Sequence, residues 1–380
     1  MRVSEGDVAG LVRSRWGGLL AEIGGGAVER YAEGVPVPKK WFADAGALGL
    51  QAFPLPAAVA GADADAVTWG RALEEIGYLC ADPAFPVVVS IHTGIASLLC
   101  ATGNAHLVHT YALPISRGAC LPALAFSEGT DLLSMRTELT ATGSDFRLSG
   151  RKEFITGGLL ADVFLTYASD RHGDLVACLV PAHDDGVEVV PARSAGFRTA
   201  GAASVTFKDV RVPADRVMTS ADGLSHAQQY LNSRRAVIAS FTTGQMRRLL
   251  ESTVTRLQDS VRYGQRLMDL PNVQAAVGRM YVSVEASRSI VHRALTRLDA
   301  GDGDPFFDPV VSAAKHHVTE QALAVLNEAF RVLGGHAYYG DPHYGMFLRE
   351  AFGLLAGAGT QDLLEINLGM CAAQKGKNLA

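Results

Sequence analysis

The chain has 380 residues, 48 % of them hydrophobic and 19 % charged, with a formal net charge of −5. That length allows two or three packed units, and the acidic balance gives nucleic acid or an anionic membrane no reason to bind. No apolar run is expected to reach the length that spans a bilayer, and the start MRVSEGDVAG lacks the basic-then-apolar order of a secretory signal.

From residue 5 to about 117 the apolar positions recur at three- and four-residue steps, the mark of amphipathic helices. Val8, Leu11, Val12, Trp16, Leu19, Leu20 and Ile23 form the first, which Gly24-Gly25-Gly26 interrupts. Lys39 to Leu48 makes a second, closed by Gly49. Trp69, Leu73, Ile76 and Leu79 lie on one face of a third, ended by Asp82-Pro83. The β-branched run Val87 to Ile91 reads as helix because it continues to Leu99 without a turn signal. Near Gly118 the pattern changes to short runs rich in Val, Phe, Leu and Thr, separated by Gly, Asp and Pro, as in an antiparallel sandwich or barrel. From Gly223 long helical runs return, the first extending from Leu231 toward Val261. Soluble helices of this length bury one another in a bundle and often help form an oligomer.

Two strand ends stand out in the central part. Ser127 closes the apolar run Leu124-Ala125-Phe126, and Thr156 closes Phe154-Ile155, with turn chemistry at Thr142-Gly143-Ser144-Asp145 between them. Two hydroxyls on neighbouring strand ends can bond the edge of a flat polar ligand. Strands also often end in Ser or Thr for purely local reasons. The five cysteines (Cys80, Cys100, Cys120, Cys178, Cys371) are scattered and odd in number, so they read as buried small hydrophobes in a reducing, cytoplasmic setting. No metal site is expected. His316-His317 is no exception, since adjacent residues on a helix do not share a face.

Several local sequences carry a resemblance. Ala125-Phe126-Ser127-Glu128 is similar to a flavin-contacting strand that ends in Thr-Glu. Gly150-Arg151-Lys152-Glu153-Phe154-Ile155-Thr156-Gly157-Gly158-Leu159-Leu160-Ala161-Asp162 is similar to a GxKxFITNGxxAD block. Gly196-Phe197-Arg198, with Val205-Thr206-Phe207-Lys208-Asp209-Val210-Arg211-Val212-Pro213, is similar to GxR…FxDVxVP. Leu333-Gly334-Gly335-His336-Ala337-Tyr338, Arg349-Glu350-Ala351 and Gly359-Thr360 follow in the same order as their counterparts. Together they resemble the acyl-CoA dehydrogenase superfamily of flavoproteins, including members that act in polyketide and peptide specialised metabolism.

The resemblance implies an α+β fold with an N-terminal helical domain (1–117), a central antiparallel β-domain (118–222) and a C-terminal four-helix bundle (223–380). It implies FAD, ahead of FMN, in a homodimer or homotetramer that shares the cofactor across an interface. Carried over by position, Phe126, Ser127, Phe154 and Thr156 would border the flavin ring. Gly334 and Gly335 would let backbone approach the cofactor, Thr360 would bond its diphosphate or ribityl side, and Arg262 would meet its phosphates once the helix end there unwinds. His92, Arg198, Arg234 and Ala358 would face the substrate. That substrate is expected to be a small acyl group on CoA or on an acyl or peptidyl carrier protein.

The same comparison shows departures. Relatives remove the acyl α-proton with a Glu, whose pKa rises in an apolar site. One position for that Glu is Ala358 here. The other, on the first bundle helix, is Arg234, and a guanidinium takes no proton. The catalytic base is therefore unknown. The arginine of the RxxFG motif aligns with Ser260, two residues before Arg262, and the usual Gln aligns with Pro271. The loop Ser127-Glu128-Gly129-Thr130-Asp131 is shortened. Glu128 is structural in relatives, and His336 interrupts the Gly-Gly segment. Arg234 is either a solvated helix charge or an anchor for a substrate carboxylate. Three readings stay open. The chain oxidises an unusual acyl thioester, with decarboxylation replacing proton removal. It is a flavin monooxygenase or oxidase on the same fold. Or it is an inactive subunit.

Overall fold

The apolar periodicity of the first third folds as helices: α1 (Glu5–Gly25), α2 (Ala27–Glu33), α3 (Lys39–Ala47), α4 (Ala66–Leu79), α5 (Ala84–Ala101), α6 (Ala105–Leu107) and α7 (Leu113–Ser116). The computed structural model describes residues 5–129, 134–218 and 223–375. Thr130 and Asp131 of the shortened loop lie outside them. The β-branched run at Val87 is helical, inside α5. At 18 residues α5 is also long and apolar enough to cross a membrane, which corrects the expectation drawn from the sequence. Its best window is 72 % buried in the protein, so its uniform apolarity is that of a core helix.

The strands are β1 (Pro122–Ala125), β2 (Glu138–Thr142), β3 (Asp145–Ile155), β4 (Val163–Ser169), β5 (Leu175–Pro181), β6 (Val187–Pro191), β7 (Ala203–Val212) and β8 (Val217–Met218). They form one sheet in the order β6-β7-β3-β2-β4-β5-β8, with β1 beside β4. The sheet is mixed, because β1 and β2 each pair parallel to β4 while the other pairings are antiparallel. The physical reason is connectivity: the β2–β3 hairpin intervenes between β1 and β4, and such a crossover allows parallel pairing. Gly143, at φ +63°, supplies the left-handed turn that closes that hairpin between Thr142 and Asp145.

The chain returns to helix with α8 (Gly223–Asp259), a short ribbon β9 (Val261–Arg262) and β10 (Gln265–Arg266), then α9 (Pro271–Ala300), α10 (Pro309–Leu333), α11 (Pro342–Ala356) and α12 (Gln361–Lys375). Pro271 and Pro309 occupy first-turn positions, and Asp308 caps α10 through the amides of Val310 and Val311. The α+β order of helical, β and helical segments is the one expected.

Two compact units cut across that order: residues 1–28, 65–86 and 231–380 form one, residues 29–64 and 87–230 the other. In the first, α10 packs on α9, α11 and α12 around a core that includes Met246, Met280, Val318 and Leu326. There α4 and α8 cross at Gly77 and Gly244, where a Cβ on either would strike the backbone carbonyl of Phe241 or Glu74. In the second, the sheet closes on Leu148, Ile155, Phe164, Val205 and Phe207.

Candidate functional site

In the sheet unit, Ser127 is exposed two residues beyond β1, and its carbonyl accepts a 2.8 Å bond from the Glu153 amide of β3. The segment ending at Ser127 is thus tied to the strand that leads into Thr156. A register shift between Lys152 and Ile155 puts Phe154 at φ +58°, with the residue 70 % exposed. An aromatic residue in the left-handed region costs about 1–3 kcal/mol and persists only where its surroundings dictate it. The bulge therefore aims a large flat side chain outward beside both hydroxyl-bearing ends. The Phe126 ring stands edge-on to Tyr167, with centroids 5.0 Å apart, and Tyr167 Oη lies 3.0 Å from His226 Nδ1.

The platform rests on a buried ion pair that sequence reading did not single out. Lys152 Nζ lies 2.6 Å from Glu128 Oε1 and 3.1 Å from the Phe126 carbonyl, with the two side chains 0 % and 5 % exposed. Glu128 also accepts from the amides of Arg136 (2.6 Å) and Thr137 (3.0 Å). Burial disfavours its charge, but Lys152 and these amides together hold the carboxyl below its ordinary value. Glu128 is a structural tie across the shortened loop.

His92 is 1 % exposed on α5, its ring edge-on to Phe42 at 5.1 Å. Burial lowers its pKa to about 3, opposed only by Asp162, so it is a neutral core histidine at working pH. Its Nδ1 is buried with no hydrogen-bond partner among the described residues. Arg198 lies under Tyr31 and donates 3.1 Å to the Ala32 carbonyl, tying its turn to the end of α2.

In the helical unit, Gly334 ends α10 at φ +56° and ψ −129°, a conformation reserved for glycine, with open space where a Cβ would point. Gly334 and Gly335 are both exposed. Thr360 is exposed and starts α12, with Oγ1 3.4 Å from the Leu363 amide. Arg262 sits on the exposed ribbon β9, because α8 stops at Asp259, so the chain is already out of the helix where Arg262 stands two residues beyond Ser260. Arg234 is on α8 and 7 % exposed, which rules out a solvated helix charge.

Ala358 takes φ +55° in the loop between α11 and α12. Its carbonyl accepts 3.0 Å from Arg235 Nε. Lys315 Nζ donates to the Leu355 carbonyl (3.0 Å), the Gly359 carbonyl (2.9 Å) and Gln361 Oε1 (3.0 Å). Two buried cations therefore brace the loop at Ala358, one of the two positions that the family resemblance assigns to the base. The sequence signal for Lys315 was present, since it interrupts the fully buried stripe of Val311, Val318 and Ala322 on α10. No cluster of three or more His, Cys, Asp or Glu able to hold a metal occurs among the described residues.

Family models for the N-terminal, middle and C-terminal domains of acyl-CoA dehydrogenases match residues 21–119, 124–210 and 221–372. The cyclohex-1-ene-1-carbonyl-CoA dehydrogenase of Geobacter metallireducens is 30 % identical over 314 residues, covering 80 % of this chain and 82 % of that protein. The chain belongs to the acyl-CoA dehydrogenase family of flavin-dependent oxidoreductases. Its fold is also that of the prolyl acyl carrier protein oxidase AnaB (TM-score 0.87, 20 % identity, 97 % of each chain). PigA, solved with FAD and proline, matches at TM-score 0.90 and 19 % identity over 99 % of this chain and 98 % of that one.

Proposed function

We propose that this chain is an FAD-dependent oxidoreductase of an unusual acyl thioester, held on CoA or on an acyl or peptidyl carrier protein in specialised metabolism, working without its relatives' carboxylate base. The observation that carries this reading is Ala358: the loop is braced by Arg235 and Lys315, yet it ends in a methyl group. A chain that had lost its function would have no need to keep a strained Phe154 in the open. The residues on the platform fit a planar cofactor, with Ser127 and Thr156 to bond its edge and Phe154 to border its ring. FAD, when bound there, supplies the two-electron acceptor. Arg234 replaces a carboxylate with a cation and suits an acidic acyl group. A β-carboxylate that departs as CO2 leaves its electron pair on the α-carbon, so that step needs no base.

The carrier-bound substrate is supported by the likeness to AnaB, whose name records a prolyl carrier protein. Exposed apolar side chains on α9 (Tyr281, Val282) and α12 (Leu363, Ile366, Met370) support a homodimer or homotetramer. Five free thiols, two buried and three half-buried, fit a reducing cytoplasm.

The deciding experiment is anaerobic addition of acyl thioesters to the purified yellow protein. Bleaching of the flavin is expected. A flavin that stays oxidised, needs an external reductant and then consumes O2 would mark a monooxygenase. No flavin after reconstitution with FAD or FMN would leave an inactive subunit. Phe154→Gly is a second test, since it removes the left-handed strain and little buried surface. Stability should rise by up to about 1 kcal/mol in urea while FAD retention falls roughly tenfold. Unchanged retention would remove Phe154 from the cofactor site.

A further inference from the structure

Arg235 and Lys315 are 4 % and 0 % exposed, and neither forms a salt bridge among the described residues. Arg235 donates to the Ala358 carbonyl, to Asn232 Oδ1 at 2.8 Å and to Ser312 Oγ at 3.2 Å, and its guanidinium covers the Phe307 ring at 5.1 Å. Every acceptor of Lys315 is a neutral oxygen. Buried charges are normally paired, because neutral acceptors recover only part of what is lost on leaving water. Here the carboxylates that influence them, Asp308 for Arg235 and Glu320 for Lys315, act without a direct bond, and the two cations repel each other. Burial and that repulsion lower Lys315 to about 8.

Arg235 Nη2 makes no hydrogen bond among the described residues and lies 3.8 Å from where a Cβ on Gly359 would stand. Gly359, at φ +103°, has no side chain, and the buried Leu364 packs 3.4 Å from where its Cβ would stand. The same loop opens into the N-terminus of α12, whose dipole also favours negative charge. Ala358, whose carbonyl Arg235 holds, carries only a methyl group.

We propose that Arg235, backed by Lys315, seats an anion at the 357–360 loop, and that its occupant is the carboxylate of an acidic acyl group. The identity of the bearer rests on the acyl-thioester reading; the seat rests on the helical unit alone. The site thereby selects a substrate that brings its own carboxylate to the place where relatives hold theirs.

The test uses the purified protein and two probes of similar shape, malonate and neutral malonamide, at constant ionic strength. Malonate is expected to raise the melting temperature saturably and malonamide not at all. Ala358→Glu should weaken the malonate response at least tenfold, because its own carboxylate fills the seat, whereas Ala358→Gln should keep it. Ala358→Glu should also melt higher than Ala358→Gln. No saturable malonate response, or the same response in both variants, would leave the two cations as loop braces and overturn the proposal. An equal response to inorganic phosphate would overturn the choice of carboxylate. None of these readings needs turnover, so a protein that binds malonate but no flavin would refute the enzyme reading and leave the anion seat standing.

Discussion

Ala358→Glu is expected to accelerate anaerobic flavin reduction by butyryl-CoA about 10²- to 10⁴-fold over the unsubstituted protein, the range supplied by a positioned general base. Ala358 holds φ +55° with a side chain present, so a longer side chain adds no new backbone strain, and Arg235 fixes its carbonyl from behind. The neighbouring cations, Arg235 and Lys315, would keep the new carboxyl ionised and ready to accept a proton. They would also lower its basicity, which places the gain nearer the lower end of the range. Ala358→Gln is the control, with equal shape and no base. If the Glu variant reduces flavin no faster than the Gln variant, the missing carboxylate is not what separates this chain from ordinary dehydrogenation.

Lys152→Met should lower the unfolding free energy by about 3–5 kcal/mol, because it strands the buried Glu128 carboxylate. Methionine fills the volume but offers nothing to the Phe126 carbonyl or to Oε1, leaving Glu128 with the two loop amides alone. The pH dependence follows from the direction of the Glu128 shift. A carboxyl whose folded value is depressed contributes stability above its unfolded pKa, near 4.3, and loses it as pH falls through the folded value. Without Lys152 the folded value rises, so acid unfolding should begin at higher pH than in the unsubstituted protein. Urea melts across an acid series measure both effects. A loss under about 1 kcal/mol with an unchanged acid midpoint would show that the pair does not carry the platform.

Phe154 and Lys152 illustrate how unevenly the site can be read. Both lie in the block that carries the family likeness, and the alternation of β3 alone would put them on the same face. The register shift beside them turns Phe154 into solvent at φ +58°. Only the fold makes Lys152 the partner of a glutamate 24 residues earlier. Arg262 depended on where its helix ended: α8 stops at Asp259, and Arg262 lies on a two-stranded ribbon. Arg198 kept its place in the motif, yet in this conformation its guanidinium is occupied by Ala32 and Tyr31.

What the sequence by itself determined was whatever depends on near neighbours. Apolar spacing made the helices, and an unbroken run made α5 helical across its β-branched residues. Gly143 closed the β2–β3 hairpin, and motif order singled out Ser127 and Thr156 as candidates for a flavin edge and put Ala358 and Arg234 where the family resemblance expects the base. The tertiary structure decided whatever depends on contacts far along the chain. It put β1 parallel to β4, drew Arg235 to the carbonyl of Ala358 123 positions away, and brought Lys315 under a loop more than 40 residues on. The physical reason is that burial sets the meaning of a charge. A lysine inside an apolar stripe is only an anomaly in the sequence, and it becomes half of an anion seat once the fold removes water and withholds a carboxylate from it.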